Sequence, residues 1–119
     1  LTDEWDKGAG DKSVLTMGCL AVRKDFVEQN KEAFDAFLEE YKASVDFTNS
    51  HVEEAAELSE KYDIMPAAVA AKAIPNCNIV YMDGDEMKQK MPDFLNILYT
   101  ANPKSVGGEL PGEDFYYTK

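Results

Sequence analysis

A chain of 119 residues has room for one domain, since at this length about two thirds of the unfolded surface can be buried. The composition, 45% hydrophobic and 29% charged, excludes a disordered segment, and no apolar run reaches the roughly 18 residues of a membrane-spanning helix. The formal net charge of -11 argues against nucleic acids and anionic membrane surfaces as partners. We therefore expect a soluble, acidic domain.

Residues 1–13 are mostly polar and are expected to be a loop, because Gly8, Gly10, Asp11 and Ser13 make the second half a loop that enters the following strand. Trp5 is the exception: a lone tryptophan beside a loop usually caps a core, although it could also line a binding cleft. Leu1 is not an initiator methionine, and no export signal is visible. We expect a processed chain or a fragment.

Residues 14–23 predict the central strand of the fold, because V-L-T-M-G-C-L-A-V-R is largely apolar and shows no alternation. A strand of this kind is covered on both faces. Gly18 interrupts it and would let backbone, a ligand or another element come close, or would simply make room for a neighbour.

After Arg23 the apolar residues follow helical spacing. Asn30 predicts the N-cap of a helix over residues 31–47, whose core-facing stripe comprises Phe34, Phe37, Leu38, Tyr41 and Val45. Ser50 and Glu53 form a capping-box pattern for the next helix, and residues 67–74 predict a helix of small side chains that allows close packing.

Residues 77–82 predict a second strand, and a helical pattern over residues 87–99 contains Pro92, which would cause a kink or start a second helix. Residues 104–119 are expected to form an irregular tail that docks through Phe115, Tyr116 and Tyr117. Two strands alone make a poor sheet. Partner strands would therefore come from another chain or from residues upstream of Leu1.

The sequence predicts no metal site, no cofactor and no catalytic residues. Cys19 and Cys77 are too few and too far apart for a zinc site, and His51 is the only histidine. The two cysteines could form a disulfide if their strands are neighbours, or could be two buried thiols.

Long runs of the chain resemble the C-terminal third of ABC-transporter substrate-binding proteins of the nitrate, sulfonate and taurine type. They are residues 15–45, with the V-x-x-x-F turn and the pattern A-x-x-x-F-L-x-x-Y, and residues 53–64, with E-A-A. Residues 74–82 and 102–111 are similar to segments of clostridial members. The matching positions are Phe26, Ala33, Phe37, Leu38, Tyr41, Glu54, Ala55 and Ala56, while Lys31 stands where proline is common.

The resemblance implies a helix-rich α/β fold, the C-terminal segment of a two-lobed type II periplasmic-binding-protein fold. Residues 1–13 would leave the second lobe, residues 14–23 would be the crossover hinge strand, and residues 24–119 would complete the first lobe. The expected function is extracytoplasmic binding of a small solute, anionic or heterocyclic, and its delivery to an ABC permease. A lipid anchor outside this chain would hold the protein at the cell surface or in the periplasm.

The same resemblance implies that Thr16, Met17, Gly18 and Cys19 lie near the ligand cleft, while most ligand contacts come from residues outside this chain. Two alternatives remain open. One is an acidic helical protein-interaction module without a ligand of its own. The other is an enzyme resembling thiamine-pyrimidine synthases of the same fold, whose chemistry relies on His and Cys clusters that this chain lacks.

Overall fold

The computed structural model describes residues 1–10 and 13–119, and within them the chain is helical, with no β-strand. The α-helices are α1 (Thr2–Ala9), α2 (Lys24–Gln29), α3 (Lys31–Ser50), α4 (Val52–Lys61), α5 (Ala67–Ala73) and α6 (Gly84–Ala101). Short 3₁₀ helices cover Ile74–Asn76, Pro103–Val106 and Glu113–Phe115. The helix-rich character is thus confirmed, whereas neither predicted strand is present in the described part of the chain.

The chain forms two compact units. Unit 1 contains Leu1–Ala21 and Met82–Lys119, and unit 2 contains Val22–Tyr81. The polypeptide therefore leaves unit 1 within the predicted strand 14–23 and returns to it within the predicted strand 77–82. The assignment of residues 1–13, 14–23 and 24–119 to parts of two lobes stays a prediction.

In unit 2 the apolar stripe of α3 is only partly buried. Phe34, Leu38 and Val45 are buried, as the spacing predicted. Phe37 and Tyr41 are 46% and 41% exposed, and their nearly parallel rings lie 5.9 Å apart between centroids. The prediction that they belong to the core is wrong for this structure, because the contacts of α3 with α2 and α4 cover only part of the stripe.

Helices α4 and α5 pack closely because small side chains lie at their contact. Ala56 of α4 is 1% exposed and Ala70 of α5 is 3% exposed. Only short side chains let two helix backbones approach in this way, so the predicted small-residue helix is confirmed in both its position and its packing.

The turn between α4 and α5 is fixed by main-chain hydrogen bonds. The Ile64 N–H donates to the Ser59 carbonyl over 2.9 Å, and the Asp63 N–H donates to the Glu60 carbonyl over 3.0 Å. Asp63 adopts a left-handed φ of 54°, which together with these two bonds makes a Schellman motif. The Glu60 carboxylate then accepts from the Ala67 N–H at the start of α5, over 3.2 Å.

In unit 1 the predicted loop over residues 1–13 is wrong as far as Ala9, since α1 occupies Thr2–Ala9; Gly10 and Ser13 lie outside any helix, and Asp11 and Lys12 lie outside the described residues. Acidic residues in the first turn of α1 and Lys7 in the last turn suit the helix dipole, and Lys7 pairs with Glu4. Trp5 packs against the buried Phe94 of α6, 5.4 Å between ring centroids, so the tryptophan caps a core.

Helix α6 runs through Pro92 as one helix, so the alternative of a second helix starting there is wrong. The helix ends at Ala101, and the side-chain oxygen of Asn102 accepts from the Lys104 N–H over 3.2 Å, which caps the following 3₁₀ helix.

The contact between α4 and α5 yields a prediction of stability. Ala70→Leu places a larger side chain where there is no room, and we expect it to lower the free energy of unfolding by about 1–3 kcal/mol. Urea denaturation followed by far-UV circular dichroism measures the change. Ala68→Leu is the matched control, because Ala68 is exposed on the same helix. If the two variants lost the same free energy of unfolding, the close packing of α4 against α5 at Ala70 would be contradicted.

Candidate functional site

The first part of the predicted ligand segment is held against α6. Ser13 is buried, and Val14, Leu15 and Thr16 are half-buried. The Thr16 hydroxyl lies 3.3 Å from Sδ of Met91 in α6 and 3.4 Å from the carbonyl oxygen of Val14, so it can donate to either. Thr16 is thus anchored by a residue 75 positions later in the chain.

The second part of the segment projects into solvent. Met17 is 79% exposed, Leu20 49% and Val22 38%. Among the described residues, the main chain of residues 15–22 makes no backbone hydrogen bond. The predicted strand over residues 14–23 is therefore not formed in this chain, since a strand obtains its main-chain hydrogen bonds only from a neighbouring strand.

The second predicted strand, over residues 77–82, is not formed either. The carbonyl of Ile79 accepts from the side-chain amide of Asn49 in α3 over 2.8 Å, and the ring of Tyr81 lies edge-on to Tyr41, 5.8 Å between centroids. These contacts attach the segment to α3 by side chains. The absence of a β ladder in the described residues has the same cause as in the first segment.

The structure gives Gly18 no steric reason to be glycine. A Cβ atom built on Gly18 would meet no atom within 4 Å, so the expected close approach of another element is wrong for the described chain. Of the four predicted ligand-binding residues, Thr16 contacts α6 and Met17, Gly18 and Cys19 are exposed. The chain brings them together only because they are consecutive.

Cys19 and Cys77 are both exposed free thiols. The alternative of two buried thiols is therefore wrong, and the disulfide stays a prediction. His51 is exposed and stacks on Phe47 of α3 with 4.7 Å between centroids, and its Nδ1 lies 2.9 Å from the Ser50 hydroxyl. In the part of the chain that the structure describes, no three His, Cys, Asp or Glu side chains come together as metal ligands.

A groove in unit 1 was missed by the sequence analysis. It has a volume of about 480 Å³ and lies between the C-terminal half of α6 and the segment that follows, lined by Leu95, Leu98, Ser105, Val106, Gly107, Glu109, Leu110, Pro111, Gly112 and Phe115. Most of these side chains are apolar, and Glu109 is the one ionisable residue among them. This cavity is hereafter called the Glu109 groove.

Part of the wall of the Glu109 groove is formed by the segment that was predicted to be an irregular tail. Hydrogen bonds fix the conformation of this segment. The Ser105 hydroxyl lies within donor distance of the carbonyls of Asn102, at 2.7 Å, and Leu98, at 3.2 Å. Gly107 and Gly108 have φ angles of 86° and 96°, which only glycine adopts readily. The Gly108 N–H donates to the Pro103 carbonyl over 2.9 Å. The adjacent glycines were the one sequence signal of a defined turn.

Tyr116 anchors the far end of the same segment. It is buried, and its ring meets Phe115 edge-on, 5.3 Å between centroids. Burial raises the pKa of Tyr116 above its ordinary value, because the phenolate loses hydration in the folded chain. The predicted docking is confirmed for Tyr116, which is buried, whereas Tyr117 is half-buried and Phe115 is exposed.

In comparison with known proteins, no family model, no curated protein and no solved structure matches the chain. Among the described residues, no helix combines the length and the apolar character needed to cross a membrane.

The raised pKa of Tyr116 predicts a pH dependence of stability. Because the folded state favours the neutral phenol, this contribution is complete below the ordinary tyrosine pKa of about 10 and is lost as the pH rises through the higher folded value. We expect the free energy of unfolding to fall less between pH 9 and 11 in Tyr116→Phe than in the wild type. Urea denaturation across this range checks it. Tyr62→Phe, at a 66% exposed tyrosine, should follow the wild type.

Exposure of both cysteines predicts their reactivity. The native chain, purified without reductant, should react with two equivalents of Ellman's reagent, and the variants Cys19→Ser and Cys77→Ser with one each. A native count near zero that rises to two after reduction and removal of the reductant would instead establish the disulfide.

Proposed function

We propose that this chain belongs to the solute-binding component of an ABC importer, which binds a small anionic or heterocyclic solute between two lobes and delivers it to a permease. The chain would supply the crossover strand and the helices that follow it in one lobe. The bound solute would lie beside Thr16, Met17, Gly18 and Cys19. Further strands of the same lobe, from outside this chain, would complete the sheet.

The proposal rests mainly on the exposed side chains and the unpaired main chain of residues 15–22. This segment has the composition of a strand buried on both faces, yet Met17, Leu20 and Val22 are exposed and no described residue pairs with its main chain. Exposed apolar side chains on a main chain that is outside any helix and unpaired offer a template to which another strand can add. A sheet supplied by the rest of the protein would satisfy both the backbone and the side chains.

The helices support the same proposal by their order. Helix α2, with Phe26, begins directly after residues 14–23. Helix α3 begins at Lys31, which departs from the proline common at that position in the proteins that the chain resembles. Helix α4 carries the E-A-A motif, in which Ala56 is buried at the contact with α5. Ala56, one of the small residues on which the resemblance rests, thus has a packing role in unit 2.

Transport of this kind works by closure of two lobes around the solute, with a few residues absorbing the rotation. Gly18 suits that role because glycine adopts backbone angles that other residues avoid, and no neighbour in the described chain restricts it. The acidic charge suits an extracytoplasmic protein attached through a lipid anchor rather than through an anionic membrane surface.

Calorimetric titration of the full-length polypeptide that carries this sequence tests the proposal, with alkyl sulfonates, nitrate and pyrimidines as the probes. We expect one-to-one binding of at least one class. Gly18→Val should weaken that binding by about tenfold, which corresponds to about 1.4 kcal/mol, because it both restricts the hinge and narrows the cleft. Ala21→Val is the matched control in the same segment, since Ala21 is exposed and outside the predicted ligand-binding residues.

The proposal fails if none of these solutes binds, or if Gly18→Val and Ala21→Val change binding equally. Reversible self-association of the full-length polypeptide without any solute binding would instead favour the acidic interaction module. Amide hydrogen exchange gives a separate check of the carrying observation: residues 15–22 should be protected in the full-length polypeptide, as members of a sheet, and exchange rapidly in the isolated chain.

A further inference from the structure

We propose that the Glu109 groove binds a small organic cation with an aromatic or alkyl body, at a site separate from the one proposed for the transported solute. The inference does not depend on the transport proposal, since it uses only residues of unit 1 that follow Phe94. The class of ligand follows from the volume, the wall and the charge of the groove.

The volume and the apolar lining of the groove determine the size and the apolar character of the ligand that it can hold. About 480 Å³ falls within the range of small-molecule sites, roughly 300–1,000 Å³. Leu95 and Leu98 supply apolar surface from α6, and Val106, Leu110 and Phe115 supply it from the segment that follows α6. Leu110 is 42% exposed and Phe115 66% exposed, so both still have surface that a ligand can cover.

The negative charge of the groove lining favours a positively charged ligand. Glu109 is the one ionisable side chain of the lining, and among the described residues it forms no ion pair. An ammonium group placed beside this carboxylate gains a charge-assisted hydrogen bond while its apolar body lies along the wall. An anion of the same size would meet the carboxylate with repulsion.

The groove is also largely formed before a ligand arrives. The Ser105 hydroxyl and the Gly108 N–H hold the turn that follows α6, and the Phe115 N–H donates to the Gly112 carbonyl over 3.1 Å at the other end. A site held in this way loses little conformational freedom on binding, which favours affinity for a small ligand.

The test uses 3-phenylpropylammonium as the probe, with 3-phenylpropanoate as the charge-reversed analogue and propylammonium as the cation without a ring. Titrations of the ¹⁵N-labelled chain followed by NMR should show saturable shifts at Ser105, Val106, Glu109 and Leu110 with the first probe alone. Glu109→Gln should weaken this binding by about threefold, the size expected of one exposed ion pair.

Glu113→Gln is the matched control, because it removes the same charge four residues away and outside the lining. It separates the local carboxylate from the general attraction of an acidic chain for cations. The proposal is overturned if the two variants lose binding equally, or if propylammonium gives the same shifts. It is equally overturned if the shifts lie only at the smaller hollow of Phe47, Glu54 and Glu57, or if no groove amide shifts.

Discussion

Main-chain hydrogen bonding is the constraint on which this structure depends. A helix pairs its own N–H and C=O groups, whereas an extended segment can pair them only with a neighbour. Helices α3 and α6 therefore form from local sequence, and the turn at Asp63 closes α4 by two further main-chain bonds. Residues 15–22 have no such neighbour in the described chain, and their strand-like composition produces no strand. Both passages between the two compact units fall in segments of this kind.

The helices could be predicted from the sequence because their signals are local, but the way their ends are satisfied could not. Asn30 does precede α3, yet its side-chain amide donates backwards to the Phe26 carbonyl over 2.9 Å instead of capping the helix. The Ser50 hydroxyl likewise donates to the Asp46 carbonyl over 2.6 Å, so the expected capping box with Glu53 is absent. Asn30 and Ser50 each lie where one helix ends and the next begins, so each side chain can bond to either helix. The sequence pattern alone does not decide which helix it bonds to.

Periodicity identified the face of each helix but not how much of it would be covered. Phe34 and Phe37 belong to one apolar stripe, yet one is buried and the other is about half exposed. The position of the candidate ligand segment could be proposed from sequence, whereas its contact could not, because Thr16 and Met91 are far apart in the chain. The Glu109 groove was beyond prediction for a similar reason. Its wall depends on two positive φ angles and on a serine that bonds back to α6.

Net charge and local charge have different consequences in a chain this acidic. With a formal charge of -11, cations are attracted to the whole surface, but at physiological ionic strength the attraction decays over about 8 Å. Glu54 and Glu57 of α4 line the smaller hollow together with Lys61, whose positive charge opposes the binding of another cation there. Glu109 is exposed, but the lining of its groove contains no basic residue, so one ligand can pair with the carboxylate and cover the apolar wall together. Selectivity would then come from that combination, since neither the charge nor the apolar surface alone distinguishes the groove from the rest of the molecule.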